Sequence, residues 1–304
     1  MEQPDCIRAV RRMQAYIDAH IHEPITMYAL AQAAGYSPYH CAHLFRAHTG
    51  KSPFAYIRAL RLSRAALYLR DTQARVIDAA LEFVFDSHEG FTRAFTREFG
   101  LPPKRYSQRT PPIRLFLPYP ASVYPLPNSQ GEESMKEKQK DRTIFVQVME
   151  RPARKALIRR GIAAEDYFAY CEEMGCDIWA TLVSVKEALY EPIGMWLPEK
   201  MVKPGTSKYV QGVELPLGYS NAVPEGYELI DLPPCKMMVF QGAPYEDDDF
   251  MDEIGYVWEA MKRYDPTLYG FMWADEDGPR FQLAPQGYRG YIEARPVRAL
   301  HDAK

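Results

Sequence analysis

Residues 86 to 106, DSHEGFTRAFTREFGLPPKRY, decide how the N-terminal part of this chain is read. A capping residue, Asp86 or Ser87, precedes a helical run whose apolar side chains Phe91, Ala94 and Phe95 recur at helical spacing and fall on one face. Gly100 closes the run, and Pro102 and Pro103 start a new direction. The pattern occurs twice: SPYHCAHLFRAHTGKSPFAYI from Ser37 matches SHEGFTRAFTREFGLPPKRYS from Ser87 at an offset of 50, pairing Phe45 with Phe95, Gly50 with Gly100, Pro53 with Pro103 and Tyr56 with Tyr106. In the earlier copy Ser37 is the cap, and Cys41, Leu44 and Phe45 form the inner face. Each copy follows a short alanine-containing helix and a tight turn, Gly35-Tyr36-Ser37 in one case and Val84-Phe85-Asp86-Ser87 in the other. Short helix, turn and capped second helix make a helix-turn-helix unit, here in duplicate.

With the apolar faces turned inward, the second helix of each unit leaves a polar face free. It carries Tyr39, His40, Ala42 and His43 in the first copy and His88, Glu89, Thr92 and Arg93 in the second. These positions suit base contacts in a major groove: Arg93 can fork onto guanine O6 and N7, Glu89 can accept from cytosine N4, and Thr92 can set its methyl against thymine. Arg46, Lys51, Arg58, Lys104 and Arg105 flank them and suit phosphate contacts, which position without reading sequence. Charge is divided accordingly. Residues 1 to 110 hold 15 Lys+Arg against 10 Asp+Glu, and the rest hold 22 against 30.

Beyond the repeat, residues 111 to 127 contain six prolines and read as an extended strap, and residues 128 to 142 are polar and charged without an apolar period. The expected domains are therefore 5–108, helical with two helix-turn-helix units; 109–142, strap and linker; and 143–300, α+β. In the last of these, strands are expected at 143–149, 155–159, 236–241 and 288–294. A second repeat runs through it, with MERPARKALIRRG from Met149 matching IDLPPCKMMVFQG from Ile230 at an offset of 81. Each copy is followed by an aromatic-rich helix, around Trp179 and Trp258, and then by a strand pair. All four tryptophans fall in this half, as do Tyr209, Tyr219, Tyr288 and Tyr291, the composition of a cleft for planar organic molecules. Trp179 and Trp258, at matching helical places, read as core; Trp196 and Trp273, near strand ends, read as cleft walls.

The rest of the composition excludes more than it assigns. No stretch of about 20 apolar residues is present, and the N-terminus lacks an apolar signal core, so a cytoplasmic protein is expected. The five cysteines are scattered and lack a C-x-x-C pair, so neither disulfides nor a metal site is expected; Cys171 and Cys176 are placed on one helix but spread around it. Neither a P-loop, a dinucleotide fingerprint, a nucleophile elbow nor a metal-spaced histidine cluster occurs, so no cofactor and no catalytic residue is expected.

The segment from about Ile25 to Tyr106, DSHEGFTRAFTREFGLPPKRY above all, resembles the DNA-binding domain of the AraC/XylS family of bacterial regulators. The resemblance implies two helix-turn-helix units joined by a long helix, here Pro53 to Tyr68, with recognition helices entering successive major-groove segments roughly 34 Å apart. By position it implies Tyr39, Ala42 and His43, then Glu89, Thr92 and Arg93, as base readers. This sequence departs from the family in the second turn, where Val84 stands in place of the usual glycine, so the turn is expected to differ or to be strained.

The repeat of strand, helix, strand and strand from about Thr143 to Val297 resembles the GyrI-like effector-binding domain of multidrug-sensing regulators. That implies a pseudo-twofold sheet with two helices on one face and a ligand cleft on the other. The expected ligand residues are Trp196, Tyr209, Glu214, Trp273, Gln282, Tyr288 and Glu293. Where related domains present a buried glutamate in an F-E-x-Y motif, PRFQLAPQGY places neutral Gln282, so either the charge comes from Glu214, Glu293 or the acidic loop at 246–249, or the ligand is neutral. The two resemblances together imply a transcription regulator, an activator in preference to a repressor, with promoter duplex DNA, a small aromatic or amphipathic organic ligand and RNA polymerase as partners, and a monomeric or homodimeric state. The alternative is a small-molecule hydrolase or ligand-sequestering protein that uses the cleft, with DNA binding secondary.

Overall fold

The computed structural model describes residues 3–118, 143–175, 177–246 and 249–302. The linker expected at 128–142, the end of the strap, Cys176, Asp247 and Asp248 lie outside them. The chain divides into two compact units, Met1–Ser129 and Gln130–Lys304.

The first unit is helical: α1 (Gln3–Ala19), α2 (Met27–Ala34), α3 (Pro38–Thr49), α4 (Pro53–Asp71), α5 (Val76–Glu82), α6 (His88–Phe99) and α7 (Pro103–Arg109). The helix starts are local chemistry. Thr26, Ser37, Ser52 and Ser87 each accept a hydrogen bond from the backbone amide three residues on, and Pro38 and Pro53 stand at helix starts, where a missing N–H costs nothing. Cys41, Leu44 and Phe45 on α3 and Phe91, Ala94 and Phe95 on α6 are buried, as the spacing predicts. Around α3 the core is completed by Ala9, Val10, Met13 and Ile17 of α1 and by Tyr56, Ile57 and Leu60 of α4. Around α6 it is an aromatic chain, with ring centroids at 5.5 Å for Phe91–Phe95, 4.7 Å for Phe95–Phe99 and 5.6 Å for Phe95–Tyr106. Residues 111–118 carry no helix, as their prolines require, and Thr110 before them is left-handed at φ +39°; Ile113 and Leu115 are buried. The Phe116 amide donates to Ser63 Oγ of α4 at 2.7 Å.

The second unit holds a nine-stranded antiparallel sheet: β1 (Ile144–Arg151), β2 (Arg154–Arg160), β3 (Ile193–Trp196), β4 (Tyr209–Leu215), β5 (Glu228–Leu232), β6 (Cys235–Gly242), β7 (Phe271–Trp273), β8 (Arg280–Leu283) and β9 (Ile292–Ala299). The order is β1-β6-β9-β8-β3-β4-β2-β5, with β7 on β9. Read from the middle it is a duplication: β2, β3 and β4 mirror β6, β8 and β9 across the β3–β8 seam. The helices are α8 (Tyr167–Met174) and α9 (Ile178–Leu182) in the first copy and α10 (Phe250–Arg263) in the second. The helix expected around Trp179 is thus two short ones. Cys171 lies on α8, which ends at Met174; Cys176 lies outside the described residues. The strand expected at 288–294 starts only at Ile292, because residues 287–289 form a 3-10 turn and Gly290 sits where an added Cβ would lie 2.0 Å from the Gly242 carbonyl oxygen.

Two connections show that the sheet curls. Only Pro152 and Ala153 separate β1 from β2, and only Pro233 and Pro234 separate β5 from β6, although each pair spans nearly the whole order. The ends of the sheet therefore meet at one corner. Arg154 is buried there, donating to Glu214 at 2.6 Å and to the Pro152 and Pro233 carbonyls at 3.1 and 3.3 Å. The inner face is filled by Ala156, Ile158, Ile193, Met195, Val210, Met237, Val239, Phe281 and Ala294, all buried. α8, α9 and α10 all pack on the outer face, over Tyr209 and Val213 in one copy and over Met238, Phe240 and Tyr291 in the other. The face expected to hold a cleft opposite the helices is thus occupied by packed side chains.

Candidate nucleic-acid interface and sheet seam

In the helical unit Ser37 Oγ accepts from the His40 amide at 3.4 Å and Ser87 Oγ from the Gly90 amide at 3.0 Å, which aims the first turns of α3 and α6 outward. Tyr39 and His43 on α3, and His88, Glu89 and Arg93 on α6, are exposed, and Ala42 and Thr92 are half-exposed. His40 departs from the expected reader set. It leans on the Tyr36 ring at 5.1 Å, and its Nε2 is closed off without a partner among the described residues. Tyr39 and His43 contact each other at 4.6 Å with their rings tilted at 57°, so α3 presents a tilted aromatic pair where α6 presents a carboxylate and a guanidinium. Arg46, Lys51, Arg58, Lys104 and Arg105 are all exposed, with Lys51 Nζ 5.5 Å from the Phe116 ring centroid.

The turns differ as their sequences require. After α2, Gly35 takes φ +77° and Tyr36 N–H donates to the Ala31 carbonyl at 3.2 Å. After α5, Val84 takes the equivalent place at φ +60° and Phe85 N–H donates to the Ala80 carbonyl at 2.9 Å. The second turn keeps the same backbone form with a β-branched residue in the left-handed region, and Asp86 lengthens it by one residue before the cap. Such a conformation costs roughly 1–2 kcal/mol that glycine avoids.

In the sheet unit the ligand residues expected from sequence fall in three places. Trp196, Tyr209, Gln282 and Glu293 converge on the outer face at the β3–β8 seam, between the two helical clusters. Register puts Gln211, Gly194, Gln282 and Glu293 in one row across β4, β3, β8 and β9, with Tyr209, Trp196 and Arg280 in the next. Gln282 Nε2 donates to the Tyr209 hydroxyl at 3.2 Å, and the Tyr291 hydroxyl lies 3.1 Å from Gln282 Oε1 and 2.8 Å from Glu293 Oε2. Trp258 Nε1 donates to Glu293 Oε2 at 2.6 Å, and Arg280 is ion-paired with Glu293. Burial raises the ionisation of Tyr209 and Tyr291 well above the ordinary phenol value, with the Glu293 charge adding to Tyr291's shift, so both are neutral hydrogen-bonding groups. Only glycine fits at 194, since an added Cβ would stand 2.1 Å from the Tyr209 hydroxyl.

The remaining candidates lie elsewhere. Glu214 is on the inner face, paired with Arg151 and Arg154 at the closing corner. Trp273 packs near Phe240 beneath Arg295, whose Cζ is 4.3 Å from its ring centroid. Tyr288 is 78% exposed in the turn before β9. Trp258, read from sequence as core, contributes to the seam, as do Arg280 and Gln211, which sequence reasoning passed over. Placing β4 and β8 would have found both, because period-two alternation puts Tyr209, Gln211 and Val213 on one face of β4 and Arg280 with Gln282 on one face of β8. Among the described residues there is no cluster of three or more His, Cys, Asp or Glu side chains fit for a metal ion, and no helix long and apolar enough to cross a membrane.

Two capped, outward-facing second helices on one helical scaffold define a double helix-turn-helix DNA-binding domain. A helix-turn-helix domain model matches residues 30–109. The regulatory protein SoxS of Escherichia coli is 33% identical over 102 residues, which make up 34% of this chain and 95% of SoxS. The transcriptional regulator Rob of Salmonella typhimurium is 37% identical over 114 residues, 35% of this chain and 39% of Rob, so the chain spans about two fifths of that relative's length. A solved DNA-binding domain, that of the global transcriptional factor AdpA in complex with a target DNA, aligns at 25% identity over 33% of this chain and 89% of its own, with a TM-score of 0.32. The chain belongs to the AraC family of helix-turn-helix DNA-binding regulators.

Proposed function

We propose that this protein is a sequence-specific transcription regulator in which residues 5–108 bind promoter DNA and residues 143–300, a GyrI-like domain, bind a small aromatic or amphipathic organic molecule that controls that binding. The carrying observation is α6: a capped helix with a buried aromatic inner face and Glu89, Thr92 and Arg93 on its outer face, the residue types that read base edges. Tyr39, Ala42 and His43 on α3 make the lesser set of base contacts, and Arg46, Lys51, Arg58, Lys104 and Arg105 hold phosphates. The ligand site is the seam between the helical clusters, with Trp196, Tyr209, Gln282 and Glu293 as its lining. Activation through RNA polymerase is the mode we favour. The hydrolase alternative would need a carboxylate free to act on water, and both oxygens of Glu293 are engaged.

Electrophoretic mobility shift on the DNA upstream of the protein's own coding sequence tests the DNA half. Wild type is expected to give a specific complex, displaced by unlabelled upstream DNA and not by random duplex. Arg93→Ala is expected to lose the specific complex while its circular dichroism is unchanged. Undiminished specific binding by that variant defeats the assignment of α6.

A further inference from the structure

An organic cation is recognised by a carboxylate and by an aromatic face to lie against. The seam holds both, and one of its own side chains occupies both. Arg280 is paired with Glu293, which is wholly buried, and its Cζ lies 4.5 Å from the Trp196 ring centroid. Glu293's other oxygen already accepts from Trp258 Nε1 at 2.6 Å and from the Tyr291 hydroxyl at 2.8 Å. The stacked geometry is built into the sheet, because Trp196 and Arg280 are direct cross-strand partners and the Trp196 indole is pinned by its N–H to the Glu165 carbonyl at 2.7 Å. The Arg280 side chain is 36% exposed and Glu293's is 0%, so the guanidinium sits between the carboxylate and solvent.

What the seam leaves unengaged is uncharged. Gln211 is 0% exposed, yet both its amide nitrogen and its amide oxygen lack a partner among the described residues. A buried carboxamide with both ends unmet calls for a ligand or water that supplies one donor and one acceptor. Gln211 lies in the same lateral row as Gly194 and Gln282, flanked by the Tyr209 phenol. Gly194 is covered by the Tyr209 phenol and the Gln282 side chain, whose amide is engaged at both ends, so the unmet Gln211 carboxamide is the group that a flat molecule with its own donor–acceptor edge would match.

We propose that the seam takes an uncharged planar molecule carrying a lactam-like N–H and C=O pair, and that Arg280 is a tethered guanidinium that keeps organic cations out. This rests on the seam being the ligand site proposed above. The test is isothermal titration of the full chain, with tryptophan fluorescence in parallel, using tetraphenylphosphonium as the cation and 2-quinolinone as the neutral lactam. Wild type is expected to bind 2-quinolinone and not the phosphonium. Arg280→Met is expected to gain at least about tenfold in phosphonium affinity. Should Arg280→Met not fold, Arg280→Gln keeps an N–H for Glu293, frees the Trp196 face and is expected to show the same gain. Gln211→Leu is expected to lose 2-quinolinone binding. If wild type binds the phosphonium as tightly as the Arg280 variants, the guarding role is overturned and the seam remains a ligand site. If wild type ignores 2-quinolinone while an Arg280 variant gains the phosphonium, the neutral-lactam assignment is overturned. If neither probe binds any of these proteins, the ligand-site reading falls together with this one.

Discussion

The two helix-turn-helix units are copies of one design that have parted at three matched points, and the differences bear on the unequal roles proposed for them. At the outer face, α3 offers the tilted pair Tyr39 and His43 with His40 turned against Tyr36, while α6 offers Glu89, Thr92 and Arg93. At the closing aromatic, the Tyr56 hydroxyl accepts from Gln14 Nε2 at 3.3 Å, while the Tyr106 hydroxyl is buried without a partner among the described residues. At the turn, Gly35 relaxes where Val84 is strained. The first unit is the better-satisfied structure, and the second carries the side chains proposed as the better readers. A scaffold unit and a reading unit can share one fold when tertiary packing, such as the Phe91–Phe95–Tyr106 chain, offsets the strain of the second.

The largest expected effect tests the reading asymmetry. Arg93→Ala would remove the bidentate guanine contact proposed for it, worth about 1–3 kcal/mol, so specific affinity should fall roughly 5- to 150-fold at fixed salt. His43→Ala should cost less than about a third of that free energy. Fluorescence anisotropy on the same duplex measures both, and equal losses would restore the two units to equal standing.

The extent to which this asymmetry was readable in advance follows from its physics. Caps, buried faces and the duplicated helices are set by side chains within three or four residues of each other, so Ser37, Ser87, Phe45 and Phe95 could be placed from spacing alone. Val84 was legible too, because a β-branched residue at a glycine place is a local conflict. The inward turn of His40 was not, since it depends on where Tyr36 settles. In the sheet unit the repeat at β2 and β6 was legible, but the corner where β1 meets β2 is a consequence of strand order. Sequence therefore could not tell that Glu214 faces inward to two arginines while Glu293 faces outward to a third. Trp258 packs against the core as its helical spacing predicts, and only the register of β9 brings Glu293 beneath its N–H.

The closing aromatics give the next largest effect. Burial pushes the Tyr106 phenol up to about 12 from an ordinary value of 10.0, with the Arg70 charge pulling the other way. Folding therefore holds the neutral phenol. The associated stability is whole below pH 10 and is lost as pH climbs towards 12, by roughly 2–3 kcal/mol in all. Chemical denaturation at pH 7.5 and 11 should show about half of this loss and show it reduced in Tyr106→Phe. At neutral pH the same variant removes a buried hydroxyl that has no partner and should be neutral or stabilising by about 1 kcal/mol, whereas Tyr56→Phe gives up the Gln14 bond and should destabilise by about 0.5–1.5 kcal/mol. The two variants moving in the same direction at neutral pH would mean the hydroxyls are equivalent after all.

The turns give the smallest effect and the sharpest sign. Gly35 at φ +77° has open space where a Cβ would go, with only the flexible end of Arg12 at 3.9 Å, so Gly35→Ala meets backbone strain and little else and should cost about 1 kcal/mol. Val84→Gly runs the other way. It relieves roughly 1–2 kcal/mol of left-handed strain, against which stand the entropy of an added glycine and the partial burial of the valine side chain, leaving an expected gain of about 0.5 kcal/mol. Urea midpoints at unchanged slope measure both. If Val84→Gly proves destabilising instead, the valine side chain holds more of the second unit together than its strain takes away, and α6 owes its position to that contact as well as to its cap.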